Sequence, residues 1–276
     1  MPDLIPMPTP AELAAELLAA AAERRAIAPL SERYAGFDLD VAYAVAAEVR
    51  ALRIARGERP VGRKIGFTNR TIWAEYGVWA PIWGDVYDST LHALPPEGAA
   101  VDLGALAEPR IEPEIVFGLA APVSPGMDEA ALLGAIGWVA HGFEIVQSLF
   151  PGWRFAAADT VAAFGLHGGL WVGPRQALTA DLRGRWRERL AGFEIDMFCD
   201  GRLMDHGLAG NVLGSPLLAL QHLQQWLAAH PQQPALAAGE VLTTGTLTRA
   251  FPVQPGQRWH TALQGIDLPG AALQMK

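Results

Sequence analysis

Three carboxylates carry the clearest chemical signal in this chain. Glu112 and Glu114 stand two residues apart in Arg110-Ile-Glu-Pro-Glu-Ile-Val-Phe117, a run that otherwise reads as a buried strand. Side chains alternate across a strand, so positions i and i+2 share a face. Two like charges side by side on a mostly buried face repel each other and resist desolvation. A divalent cation resolves both problems, and hard oxygen ligands suit Mg²⁺ or Mn²⁺. Glu144 follows in the apolar segment His141-Gly-Phe-Glu-Ile-Val146, again a lone acid in a strand-like run. The spacing alone also fits a second arrangement, in which an alternating strand hides Ile111 and Ile115 and exposes both acids to water.

The elements that must position these acids follow from caps, periodicity and turns. Residues 1–8 read as a frayed lead-in. Thr9-Pro10-Ala11-Glu12 then opens a helix, with Thr9 as N-cap, Pro10 at the first helical position and Glu12 closing a capping box. That helix is expected to run to about Arg25, and a second from Asp38 to Gly57, giving an N-terminal helical lobe over residues 1–60. From residue 61 the texture changes to short apolar runs separated by Gly, Pro and Asp, which predicts strands. Expected strands cover Val61–Phe67, the acidic segment within Val101–Ala120, Gly142–Gln147, Leu166–Val172, Gly192–Cys199, Val241–Thr246, Gln257–Leu263 and a last one near Leu273. Thr71–Tyr76, Asp128–Val139 and Pro216–Ala229 are expected helices. Asp200-Gly201 after an alternating strand predicts a type I′ hairpin turn. Strands and helices do not alternate regularly, which argues against a doubly wound sheet. The fold class is therefore α+β, with residues 61–276 as one catalytic unit. Neither a dinucleotide fingerprint nor a P-loop pattern is present.

Composition narrows the function. With 51% hydrophobic residues over 276, the chain can bury a large core, on the order of 70–75% of its unfolded surface. A net charge of −8 and the lack of basic runs argue against nucleic acid as a partner. Cys199 is the only cysteine, so no intrachain disulfide or thiolate zinc cluster can form. No apolar run is long enough to span a membrane, and a cytoplasmic setting is expected.

Five motifs, in order along nearly the whole chain, resemble the 2-oxopent-4-enoate hydratase and 4-oxalocrotonate decarboxylase group of the fumarylacetoacetate hydrolase superfamily. They are Gly62-Arg-Lys64-Ile-Gly-Phe-Thr68, Gly84-Asp-Val-Tyr-Asp88, Pro109-Arg-Ile-Glu112-Pro-Glu114, Phe143-Glu144-Ile-Val-Gln-Ser148 and Thr244-Gly-Thr246-Leu-Thr-Arg249. The resemblance implies a mixed β-roll core and an Mg²⁺ or Mn²⁺ ion held by Glu112, Glu114 and Glu144. It also implies a small-molecule 2-oxo acid substrate that chelates the ion and reacts through a metal-stabilised enolate. On the same grounds Lys64 is expected near the ion as a catalytic residue, with Gly66 beside it in the substrate site. Asp88, in a turn, is a candidate acid/base, and Thr246 a candidate hydroxyl donor to substrate. A homo-oligomer is expected from the same resemblance.

One segment departs from the group's pattern. Its Asp-Thr-Val-Ala-Asp-Asn-Ala-Ser appears here as Asp159-Thr-Val-Ala-Ala163-Phe164-Gly165-Leu166. Polar groups are lost, Phe164 is expected against the substrate, and His167 is a candidate replacement with catalytic function. Trp153, Phe155 and Phe164 point to an uncharged or bulky substrate tail. The expected reaction is hydration of a 2-hydroxydienoate. Decarboxylation of the 4-oxalocrotonate type, acylpyruvate C–C hydrolysis with His141 or His167 as base, and a catalytically altered ligand-binding member remain as alternatives.

Overall fold

A computed structural model describes residues 6–276. The expected frayed lead-in falls outside the described residues for 1–5, and residues 6–8 have no regular structure. The helices are α1 (Pro10–Ala22), α2 (Leu30–Arg33), α3 (Leu39–Ala55), α4 (Trp73–Tyr76), α5 (Glu129–Ala135), α6 (Ala157–Ala162), α7 (Arg183–Gly192) and α8 (Pro216–Ala229). The Thr9/Glu12 capping box forms at α1, and Asp38 caps α3 by accepting from the Val41 N–H. The helix α1 stops at Ala22 rather than Arg25, and α3 ends two residues before Gly57. Leu13, Leu17 and Leu18 of α1 and Val45 and Val49 of α3 join the same apolar core as Ile115 and Phe117 of the sheet.

The strands form two sheets. One runs β2 (Ile82–Tyr87), β1 (Pro60–Gly66), β11 (Val241–Thr243), β5 (Arg110–Leu119), β6 (Ile136–Val146), β7 (His167–Val172) and β3 (Leu91–Ala93). Short strands β12 (Phe251–Pro252) and β8 (Gln176–Ala177) add to β5 and β6. The other runs β10 (Arg202–Leu208), β9 (Glu194–Cys199), β13 (Arg258–Gln264), β14 (Ala272–Met275) and β4 (Ala99–Val101). Both parallel and antiparallel pairs occur in each, which makes this a mixed-sheet α+β fold.

Two expectations are corrected by strand pairing. The segment Asp128–Val139 is helical only to Ala135, because Ile136, Trp138 and Val139 pair with β5 instead. Trp138 lies over Gly118, where any Cβ would fall inside the indole, so this register needs glycine there. The segment Gly84–Asp88 is not a turn: Gly84 to Tyr87 continue β2, and only Asp88 lies beyond it. The helix α7 was not anticipated; its Arg-rich sequence buries only Trp186 and Leu190, four residues apart. The Asp200-Gly201 turn has φ of +50° and +79°, the left-handed pair that a type I′ turn needs.

The two faces of the β5–β6 ribbon have different jobs. Ile111, Phe143 and Ile145 pack against Met197, Trp259 and Leu273 of the second sheet. On the other face Val116, Ala140, Leu170, Val172, Val86 and Val241 form a small aliphatic plug. Glu112, Glu114 and Glu144 share that second face, so the acids sit at one end of the plug rather than toward solvent.

Candidate metal centre

Register brings the three acids together. Glu112 lies directly opposite Glu144 across the antiparallel β5–β6 pair, and Glu114 is one alternation further along. One carboxylate oxygen from each falls within 4.8 Å of the others. Glu114 and Glu144 are fully buried and Glu112 half-buried at the lip. The solvent-facing arrangement that spacing left open is therefore not the one adopted.

Lys64 comes from β1, two strands from β5 and three from β6, and its ammonium stands 3.3 Å from Glu144 Oε2. It threads between two glycines: a Cβ on Gly66 would meet Lys64 Nζ at 3.3 Å, and one on Gly165 would meet Lys64 Cδ at 3.1 Å. Burial pulls the Lys64 pKa down, but Glu144, Glu112 and Glu114 together outweigh it and hold the ammonium above its ordinary value. Glu144 is also pulled two ways: burial raises it, and Lys64 and His167 lower it further than that. Glu112 is pushed up to about 7, by burial first and Glu144 next. Glu114 is raised well above the usual carboxylate range by burial, then by Glu144 and Glu112.

The residues fit a hard divalent cation. Glu114 Oε1 is buried without a hydrogen-bond partner among the described residues, which is costly unless something positive faces it, and Glu144 Oε2 has only the Lys64 ammonium at 3.3 Å. The other Glu114 oxygen accepts the Gly245 N–H at 2.7 Å. Gly245 has φ of +97°, and a Cβ there would strike Thr68 Oγ1 at 1.7 Å, so the Thr-Gly-Thr run serves Glu114 through its backbone. That role was not foreseen.

His167 stands behind the acids rather than before the substrate. Its Nδ1 is 2.7 Å from Glu144 Oε1 and its Nε2 is 2.9 Å from Thr90 Oγ1. It does not line the cavity beside the acids. The catalytic expectation is thus revised to positioning, since this geometry fixes a ligand carboxylate. Outer partners of this kind typically contribute ten- to a hundredfold to metal affinity. His167→Gln is therefore expected to weaken Mn²⁺ binding by about tenfold in a calorimetric titration, and an unchanged affinity would refute the role.

Other expectations are also revised. Asp88 lies four residues along β2 from Gly84, the partner of Lys64, or about 13 Å away. Its carboxylate accepts from Arg59 N and pairs with Arg59 Nε at 2.9 Å, a surface turn clasp. Thr246 lines the cavity, but its hydroxyl donates to the Thr248 carbonyl at 3.0 Å and has no proton left for a substrate. Phe164 lines a different cavity of about 620 Å³, bounded by α3, β2 and α8, on the far side of the Phe164–Gly165 turn. That cavity is the larger one, yet the acid trio is not among its lining residues. His141 faces the second sheet, with Nδ1 2.9 Å from the Glu114 carbonyl and Nε2 2.8 Å from Thr261 Oγ1. Burial drops its pKa to about 4, and a neutral strut between sheets is no base for the acid site.

Of the three acids only Glu112 lines a cavity, which it shares with Lys64, Gly66, Phe67, Tyr76, Leu166 and their neighbours; Glu114 and Glu144 lie behind it. Its volume is about 30 Å³, room for about one water. Phe67, Tyr76, Trp153 and Phe155 interlock above it with ring centroids 5.9–6.4 Å apart.

These carboxylates also set a pH dependence. In metal-free protein Glu112 and Glu114 retain protons that the unfolded chain has lost, so they contribute less stability as pH rises. His141, depressed to about 4, works in the opposite sense but only below its ordinary value of 6.5. Between pH 6.5 and about 8 each proton the acids retain acts at about 1.4 kcal/mol per pH unit, and His206, raised by Asp196, acts in the same sense. The melting temperature in EDTA is expected to fall across that window and to fall less with Mn²⁺ present. A rise in EDTA would contradict this assignment.

Comparison with known proteins agrees with the geometry. A 2-hydroxyhexa-2,4-dienoate hydratase from Comamonas testosteroni is 33% identical over 88% of this chain and 89% of its own length. A 4-oxalocrotonate decarboxylase from a Pseudomonas species is 32% identical over 80% of this chain and 83% of its own. The chain belongs to the 2-oxopent-4-enoate hydratase and 4-oxalocrotonate decarboxylase group of the fumarylacetoacetate hydrolase superfamily. The solved 4-oxalocrotonate decarboxylase from Pseudomonas putida G7, complexed with magnesium and adipate, superposes with a TM-score of 0.86 at 26% identity, over 97% of both chains. A fumarylpyruvate hydrolase from Pseudomonas aeruginosa shares the fold at 13% identity, with a TM-score of 0.57 over 78% of this chain and 88% of its own. No family model matches the chain.

Proposed function

We propose that this protein is a divalent-metal-dependent lyase that hydrates a 2-oxo acid of the 2-hydroxydienoate type. The observation that carries this is the trio with Lys64 against it, beside a small cavity that Glu112 and Lys64 line. Glu112, Glu114 and Glu144 would hold Mg²⁺ or Mn²⁺. The ion, when bound, supplies Lewis acidity toward a developing enolate oxygen. The Lys64 ammonium, 3.3 Å from Glu144 at the edge of the cavity, is placed to bind the substrate carboxylate or enolate oxygen. His167 and Gly245 hold Glu144 and Glu114 in place. Phe67, Trp153 and Leu166 exclude bulk water, which strengthens each of these interactions.

Decarboxylation is the second reading. The apolar walls favour it, since a carboxylate that is stripped of water leaves more readily as CO₂. The solved relative with magnesium and adipate is a decarboxylase over 97% of the chain. Acylpyruvate hydrolysis is less supported, because His141 is turned away and His167 is engaged with Glu144.

Incubating purified protein with 2-hydroxydienoates and acylpyruvates, with Mg²⁺ or Mn²⁺, separates the readings. Loss of conjugated absorbance without CO₂ supports hydration, and CO₂ release supports decarboxylation. Pyruvate plus a carboxylic acid would mean hydrolysis, and tight oxalate binding without turnover would mean an altered binding protein. Two further expectations belong to this proposal. The exposed Trp79, Leu203 and Leu208 support a homo-oligomer, and the change of texture at β1 supports a helical lobe over 1–60 on a catalytic unit over 61–276. No helix among the described residues is long and apolar enough to cross a membrane. A cytoplasmic setting stays part of the proposal, supported by the sole cysteine, Cys199.

A further inference from the structure

The larger cavity, about 620 Å³, has no part in the acid site, yet it has the size and walls of a small-molecule site. Its walls include Tyr43 of α3, Trp83 of β2, Trp226 of α8 and Phe164. The first three rings hold one another: Tyr43 lies 5.5 Å from Trp83 and 4.6 Å from Trp226, centroid to centroid. The Tyr43 hydroxyl also accepts the Trp83 backbone N–H at 3.4 Å. Phe164, Gly165 and Leu166 take φ of +64°, +62° and +64°, a left-handed run that only the glycine adopts without strain. That turn puts Phe164 on this cavity and Leu166 on the acid pocket, so it is a partition between two spaces. Gly84 makes room for it, since a Cβ there would stand 2.7 Å from the Phe164 carbonyl oxygen.

The cavity has one charged end. Arg50 and Asp85 both line it. Asp85 Oδ1 accepts from Arg50 Nη1 and from Arg63 Nε, the latter at 3.1 Å. Asp85 Oδ2 takes no hydrogen bond among the described residues and is not sealed from solvent. Arg50 gives one of its five N–H donors to Asp85, and its side chain makes no other hydrogen bond among the described residues. Behind this pair Arg63 faces Glu240 at 3.8 Å, so two guanidiniums and two carboxylates leave the cluster without net charge. Asp40 adds a negative charge at the rim.

An open carboxylate oxygen beside open guanidinium donors matches a group that both donates and accepts, as a hydroxyl does. A carboxylate ligand would meet Asp85 and Asp40, and an ammonium would meet Arg50, so neither is matched. A phenol has an ordinary pKa of about 10 and is neutral near pH 7. It also carries its hydroxyl on a ring that suits aromatic walls.

We propose that this cavity binds a neutral phenol, whose hydroxyl donates to Asp85 Oδ2 and accepts from Arg50 while its ring and tail lie against Tyr43, Trp83, Trp226 and Phe164. The site is independent of the reaction assigned to the acids.

Four probes that share a propylbenzene body test this by calorimetry in Mn²⁺-loaded protein: 4-propylphenol, propylbenzene, 4-propylbenzoate and 4-propylbenzylammonium. The wild type is expected to bind 4-propylphenol at least about tenfold more tightly than the other three, the scale of a hydrogen bond to a charged group. Arg50→Met should lose about tenfold for 4-propylphenol and change propylbenzene by less than about threefold, which shows that the cavity survives. Ala47→Leu places a good helix former at an exposed α3 position on the cavity wall. It should weaken 4-propylphenol and propylbenzene alike by at least about tenfold, with Mn²⁺ affinity and turnover as in the wild type. Equal affinities for 4-propylphenol and propylbenzene, tighter binding of either charged probe, undiminished binding in Ala47→Leu, or no binding of any probe would each overturn the proposal.

Discussion

Lys64→Met is expected to lower kcat by about 100- to 1,000-fold while leaving Mn²⁺ affinity equal to or tighter than that of the wild type. The first effect follows from losing a preorganised positive donor in a dry site, which typically costs that much. The second follows from sign: the ammonium 3.3 Å from Glu144 repels a divalent ion, and its removal leaves the acids more negative. Metal-free protein should suffer, because Glu144 is fully buried and loses its cation, a change that costs about 3–5 kcal/mol in comparable sites. Mn²⁺ should restore much of that stability by supplying the missing charge. Lys64 packs closely against Gly66 and Gly165, so the bulkier arginine would not be a neutral control. Turnover at wild-type rates, or weaker metal binding, would remove Lys64 from the role assigned to it.

How much of this was legible beforehand depended on how local each signal was. The capping box at Thr9, the helix Pro216–Ala229 and the turn at Asp200-Gly201 are short-range devices, and they formed where expected. Face sharing by Glu112 and Glu114 is equally local. That Glu144 lies opposite Glu112 is a matter of register between β5 and β6, which a single sequence does not encode in any one stretch. The boundary at Ala135 was misjudged because Asp128 caps a real helix and the strand begins without a breaker.

His167 shows the limit most plainly. The β6–β7 pairing shifts by one at Gly168: Ile145 faces Gly169, but Val146 faces His167. Without that bulge, alternation would put His167 on the opposite face from Glu144. A one-residue irregularity therefore decides whether this ring touches a ligand carboxylate, and only Gly168-Gly169 hinted at it. Asp88 failed for a related reason. Its motif made it a candidate acid/base, but the β1–β2 register pairs Gly84 with Lys64 and carries Asp88 to the far end.

Glu114→Gln is expected to move both readouts the other way from Lys64→Met. Mn²⁺ affinity should fall by at least tenfold, and by about a hundredfold if the ion loses the full charge of a fully buried ligand. Metal-free protein should become more stable. Glu114 is held above the usual carboxylate range by burial, Glu144 and Glu112, so its charge is a liability without an ion. Glutamine has the same shape and no charge, and its amide oxygen can still accept the Gly245 N–H that Glu114 accepts at 2.7 Å. The melting temperature in EDTA should therefore rise while the stabilisation by added Mn²⁺ shrinks, and turnover should fall with metal occupancy. A structural acid with no part in ion binding predicts the reverse: unchanged Mn²⁺ affinity, and loss of stability in metal-free and metal-loaded protein alike. The paired melts, with and without Mn²⁺, discriminate these outcomes in one experiment, because the two hypotheses assign opposite signs to the same substitution.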